Sequence, residues 1–194
     1  MRTVAVLGPA GSGKSTLVGQ LAGLEGAAAA REEADHLTRT TFSFMSDRWA
    51  AMELAGGPDW AGMAGPLLMA ADAAVLVVPP DPGAAVLAAP YLRALDAAGT
   101  PTLIFVNRMD AAEARVRDIV AELQAYTGHV LALRQVPIRE GGRVVGAVDL
   151  ISERAWRYRE GQSSTLIELP ADVADREHEA REALLEHMAD FDEK

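Results

Sequence analysis

Residues 8–15 read GPAGSGKS, a full match to G-x-x-x-x-G-K-[ST], set between an apolar run and a helix-like segment. The spacing has a mechanical reason. Glycines let consecutive backbone N–H groups turn inward around a β-phosphate at a helix N-terminus; the lysine adds a point charge on the β and γ oxygens, and the following hydroxyl is offered to Mg²⁺. Gly8, Gly11, Ser12, Gly13, Lys14 and Ser15 are therefore the predicted phosphate- and Mg²⁺-binding set. The motif specifies a nucleoside triphosphate and leaves the base and the reaction open.

A second tetrapeptide, NRMD at 107–110, closes the apolar run TLIFV. The Asp110 carboxylate can only accept hydrogen bonds, which suits the N1–H and exocyclic amine of guanine. Facing adenine it would meet an unprotonated N1 and no amine, and would stay desolvated without a partner. Arg108 carries a long stem that can lie over a base plane. A guanine nucleotide is the expected ligand, with Asn107, Arg108 and Asp110 at the base; Asn at a strand end and Asp capping a helix is the plainer alternative.

These residues need a frame. The runs TVAVL (3–7), AVLVV (74–78) and TLIFV (102–106), bounded by Gly, Pro or Asn, read as buried parallel strands. Leu17, Val18, Leu21 and Leu24 mark the buried face of the helix after the phosphate loop. TTFSFMS and RWAAMEL predict an antiparallel hairpin at the sheet edge, turning at Ser46 and Asp47; residues 84–98 and 111–126 predict helices. Beyond Gly128, apolar and polar residues alternate around Gly141 and Gly142 as in a β-hairpin. An acidic helix closes the chain, with Ala180, Leu184, Met188 and Phe191 on one face. The predicted fold class is α/β: a P-loop NTPase with a mostly parallel doubly wound sheet, an antiparallel edge strand and a small inserted α+β subdomain. Residues 1–128 are expected to form the core and 129–194 the insertion.

The bulk numbers agree with one such core. The chain has 194 residues, 49% of them hydrophobic, and a net charge of -10. That charge argues against direct nucleic-acid binding, apart from a local cluster of Arg139, Arg143, Arg154, Arg157 and Arg159. The apolar runs break at Asp72, Pro79 or Gly83, well short of the ~20 residues of a membrane span, so a soluble cytoplasmic protein is expected. With no cysteine, disulfides and thiolate metal sites are excluded.

Two long segments carry a family likeness. AADAAVLVVPPDPGAAVLAAPYLRALDAAGTPTLIFVNRMD and LRQVPIREGGRVVGAVDLISERAWRYREGQSSTLIELP resemble the GTPase domain of elongation factor G, more closely an elongation factor G-like variant, together with its inserted β-rich subdomain. The resemblance implies GTP/GDP and Mg²⁺ as ligands, and the ribosome as partner of a full-length factor. It implies that Thr16 joins the phosphate-loop residues, that Asn107 and Asp110 bind guanine, and that Thr41 of RTTF is the Mg²⁺-binding threonine, with Thr40 second.

The same likeness points to departures. Laying Asp59-Trp60 on the end of the family's second switch, D-[TA]-P-G-x-x-D-F, puts Glu53 at the Mg²⁺-side aspartate and Gly56 at the backbone donor to the γ-phosphate. Gly57 then falls on the histidine that positions the attacking water, and a glycine has no side chain to do so. Loss of such a group costs ~10² to 10⁴ in rate, so hydrolysis is expected to be weak or partner-dependent. A non-hydrolysing guanine-nucleotide module is the rival; a small P-loop kinase or ATPase is disfavoured by Asp110. The family's later Ser-Ala turn is missing, so the chain reads as a truncated part of a longer factor.

Overall fold

The computed structural model describes residues 1–26 and 29–192, the side chains of 58, 111 and 190–192 excepted. β1 (Arg2–Leu7) runs into the phosphate loop and then α1 (Lys14–Gly23). β2 (Ala30–Ala34), β3 (Leu37–Phe44) and β4 (Asp47–Leu54) follow, and then the short helices α2 (Pro58–Ala61) and α3 (Ala64–Met69). β5 (Ala73–Val78), α4 (Ala85–Ala98), β6 (Thr102–Val106) and α5 (Val116–Gln124) come next. Last are β7 (Gln135–Glu140), β8 (Arg143–Asp149), β9 (Arg154–Arg159), β10 (Gln162–Ile167) and α6 (Ala171–Asp192).

The first six strands form one sheet in the order β2-β3-β4-β1-β5-β6. β1 pairs in parallel with β4 and β5, and β5 with β6, whereas β3 runs antiparallel to both β2 and β4. The three apolar runs are the parallel strands β1, β5 and β6. Because successive residues of a strand face opposite sides, they divide between two cores. Ala5, Leu7, Leu76 and Val78 pack with Leu54, Leu68, Tyr91, Ile119 and Leu123 on one face. Val6 and Val77 pack with Val18, Ala22, Phe42 and Ala51 under α1 on the other.

The structure shifts several expectations. The β3–β4 hairpin turns at Met45 and Ser46, both left-handed (φ 50° and 66°), and Asp47 is already paired with Phe44. The hairpin is also not at the edge, because β2 lies outside it. Every residue of β2, AREEA, is exposed, so no apolar alternation revealed the strand; its charges suit an open edge. In α1 the buried face is Lys14, Val18 and Ala22, flanked by Leu17 and Leu21; Leu24 follows the last helical residue and is exposed. The helix expected from 111 begins at Val116, after a single 3₁₀ turn, Met109–Ala111.

The second sheet is antiparallel, in the order β10-β9-β8-β7, and has its own core. Gly141 and Gly142, both at positive φ, make the expected turn between β7 and β8. α6 packs Val173 and Leu184 against Val136, Ile138, Val148 and Leu150, with Ala180 beside them. Met188 is exposed rather than on this face, and the side chain of Phe191 lies outside the described residues. Arg139 ties the two parts together: its guanidinium donates to Ala112 O and Ala114 O after β6, at 3.0 and 2.9 Å, and to Gly142 O at 2.8 Å. Arg157 pairs with Glu140 at 2.6 Å, so the predicted basic cluster is partly spent on internal contacts. Among the described residues, no helix is long and apolar enough to cross a membrane.

Candidate nucleotide site

The phosphate loop connects the end of β1 to α1, and its geometry follows from its glycines. Gly13, the N-cap of α1, is left-handed (φ 96°, ψ 22°) and offers no capping side chain, so the first N–H groups of the helix are left for an external acceptor. A Cβ at Gly13 would also run into Asn107 Nδ2. Lys14 is 6% exposed, and its ammonium donates to Gly8 O at 2.9 Å and Pro9 O at 3.0 Å. Burial pulls its pKa below the ordinary lysine value, against the opposing pull of Glu53. A buried cation satisfied only by carbonyls, beside uncapped helix amides, suits a phosphate. Ser12 is buried; Gly11, Ser15 and Thr16 lie at the surface.

Glu53, next to last in β4, pairs in register with Val6 of β1, and so reaches the mouth of the loop. Ser15 Oγ donates to Glu53 Oε1 at 2.5 Å. Two hard oxygen donors thus meet beside the phosphate cradle. Mg²⁺ is commonly held by one or two protein oxygens plus phosphate oxygens and water rather than by a protein cage, so Ser15 and Glu53 fit it.

Thr41 does not share this corner. It pairs with Ala50, and its hydroxyl donates to Ala30 O at 3.4 Å. Thr40 is buried opposite Ala51. The threonine directly opposite Glu53 is Thr38, which is not among the predicted metal ligands. Opposed residues share a face and each step is about 3.4 Å, so Thr41 stands roughly 10 Å further along the strand and on the other face.

On the far side of the loop, β6 delivers NRMD. Asn107 Nδ2 donates to Ser12 O at 2.8 Å, and Arg108, left-handed at φ 58°, donates through Nη2 to Gly11 O at 2.8 Å. Asp110 is exposed in the 3₁₀ turn that follows. Two strands that share no sequence proximity thus bring NRMD onto the phosphate loop.

The stretch 55–60 closes the remaining side. Gly56 lies so near the loop that a Cβ there would sit 2.5 Å from Ala10 Cα and 2.6 Å from Pro9 C. Gly57 is bonded to the hydroxyl of Tyr91, and Ala55 N donates to His36 O at 2.8 Å. The His36 ring stacks on Trp60, centroids 4.4 Å apart. Tyr91, His36 and Thr38 carried no signal in the sequence: Tyr91 sits in an alanine-rich helix, His36 in the turn between β2 and β3, and Thr38 in β3, whose start no pattern marks.

A phosphate loop between the first strand of a mostly parallel sheet and its helix, with a base-reader candidate ending β6, two strands away beyond β5, defines the P-loop NTPase class of α/β folds. No family model matches the chain. The elongation factor G-like protein of Synechocystis is 30% identical to it over 213 aligned positions, which take in 100% of this chain and 32% of that protein. Elongation factor G of Rhodopirellula baltica is 33% identical over 96 residues, 48% of this chain and 14% of that one. A crystal structure from Thermus thermophilus superposes with a TM-score of 0.81 at 26% identity, over 96% of this chain and 31% of the other. The chain thus spans about a third of the length of the relatives that match it from end to end.

Proposed function

We propose that this chain is the guanine-nucleotide-binding domain of an elongation factor G-like translational GTPase. GTP and Mg²⁺ bind at the phosphate loop, Asn107 and Asp110 select guanine with Arg108 beside the base, and residues 129–194 form the inserted subdomain. The ribosome is the partner of the full-length factor, which works in the cytoplasm. The observation that carries the reading is the convergence of Ser15, Glu53 and Asn107 on one loop from three separate strands and helices. Hydrolysis is slow or partner-dependent, since Gly57 has no side chain to orient water.

Calorimetric titration with GTP, GDP and ATP in Mg²⁺ tests the binding half, and single-turnover hydrolysis with and without ribosomes tests the rest. GTP is expected to bind at least tenfold more tightly than ATP, and D110A to erase that preference. Equal affinities for GTP and ATP would sink the guanine assignment. The absence of a side chain at Gly57 also favours a second reading, a module that binds GTP and never cleaves it; zero turnover with ribosomes present would select that one.

A further inference from the structure

Tyr91 is 1% exposed, deep in the main core, yet both hydrogen bonds of its hydroxyl go to one residue of the loop above it. Gly57 N–H donates to Tyr91 Oη at 3.1 Å, and Tyr91 Oη donates to Gly57 O at 3.3 Å. Gly57 O also accepts from Trp60 N and Ala61 N of α2, at 3.3 and 3.2 Å, but among the described residues the Gly57 N–H has the Tyr91 hydroxyl alone as its partner, so the 56–57 peptide is held from α4. Gly57 stands at φ 140°, ψ 159°, a backbone region open in practice to glycine alone.

The neighbouring residue shows what this placement does. Gly56 rests on the Pro9–Ala10 peptide, and Pro9 O is also an acceptor for the Lys14 ammonium. Gly56 and the Lys14 charge therefore meet the same edge of the phosphate loop. With Gly57 N–H turned to Tyr91, the Gly56 N–H makes no hydrogen bond among the described residues and is the amide left to a phosphate at that edge.

We propose that Tyr91 is a positioning residue that sets the preference for nucleoside triphosphate over diphosphate: its hydroxyl holds Gly57 against α4 and so presents the Gly56 N–H to the terminal phosphate. The proposal rests on the GTP-binding reading above. A donor fixed in advance gives up less freedom on binding than one on a loose loop, and only a ligand with a third phosphate gains from it.

The test is Y91F in the full chain, with Y91L as a second hydroxyl-free variant. Amide hydrogen exchange at Gly57, measured without nucleotide, is expected to quicken about tenfold. Affinity for a non-hydrolysable GTP analogue is expected to fall about tenfold, while that for GDP stays within twofold. Unchanged exchange at Gly57 overturns the proposal, and so does an equal loss for both nucleotides, which is what a merely structural role would give. A wild-type chain that binds neither nucleotide overturns the GTP-binding reading and the triphosphate preference with it, whereas selective binding with an unaltered Y91F ratio overturns the Tyr91 role alone.

Discussion

Ser15 Oγ donates to Glu53 Oε1 across 2.5 Å, joining the end of the phosphate loop to the end of β4. An aspartate here would stop one methylene short, so the longer side chain is what lets the carboxylate touch the hydroxyl directly. S15A and E53A should each weaken Mg²⁺-dependent nucleotide binding by about 10- to 100-fold, the range seen when a group that orients a metal ligand is removed. Release of a fluorescent guanine nucleotide, followed against free Mg²⁺, reads this. Binding in the absence of Mg²⁺ should change far less, and an equal loss with and without the ion would remove Glu53 from the metal site.

Gly56 leaves no room for a side chain, because its neighbours are backbone atoms of Pro9 and Ala10 that cannot swing away. G56A should therefore abolish detectable nucleotide binding or lower the melting temperature. G57A should cost about 1–3 kcal/mol by forcing alanine into a conformation it avoids. By contrast, a Cβ at Gly19 in the middle of α1 meets nothing within 4 Å, and G19A should stabilise the chain by roughly 0.5–1 kcal/mol. Thermal denaturation of the three variants side by side would reveal the expected opposite signs.

Arg139 satisfies three carbonyls on two parts of the chain. Hydrogen bonds from a charged donor contribute about 1.5–3 kcal/mol each, shared here among acceptors that water can partly replace. R139A should lower stability by about 2 kcal/mol, and R139K by nearly as much, because an ammonium cannot span the same fork. The readout is urea denaturation with Trp156 as the reporter in the second sheet. Wild-type midpoints for both variants would show that the tie is incidental.

The Asp149 carboxyl lies below its ordinary value of 3.8: burial pushes it upward, but the Ser152 N–H, the Arg134 guanidinium and the Ser152 hydroxyl together pull it further down. The folded chain therefore holds this proton less tightly than the unfolded chain. The stabilisation is complete above the ordinary aspartate value and is lost as pH falls below it. D149N should remove that part of the acid sensitivity, seen as a flatter dependence of denaturation midpoint on pH below about 4. An unchanged slope would assign the acid loss to other carboxylates.

What the sequence by itself determined is what short-range chemistry writes into spacing. The phosphate loop is a contiguous octapeptide whose glycine torsions and helix amides are local. β1 and β5 appear as unbroken apolar runs because the middle of the sheet is covered on both faces, whereas β6, expected to be buried too, lies at the end of the sheet with Thr102 and Leu103 exposed. Gly141-Gly142 marks its turn because both residues take positive φ. Tertiary structure decided what depends on register between distant segments. β2 is invisible in AREEA since an exposed edge strand needs no apolar face. Thr38 rather than Thr41 stands opposite Glu53, because a shift along an antiparallel ladder moves a residue away from the site and an odd one also turns it to the other face. The Tyr91–Gly57 contact joins residues 34 positions apart, and a lone buried aromatic in an alanine-rich helix names no partner until α4 is laid against the sheet.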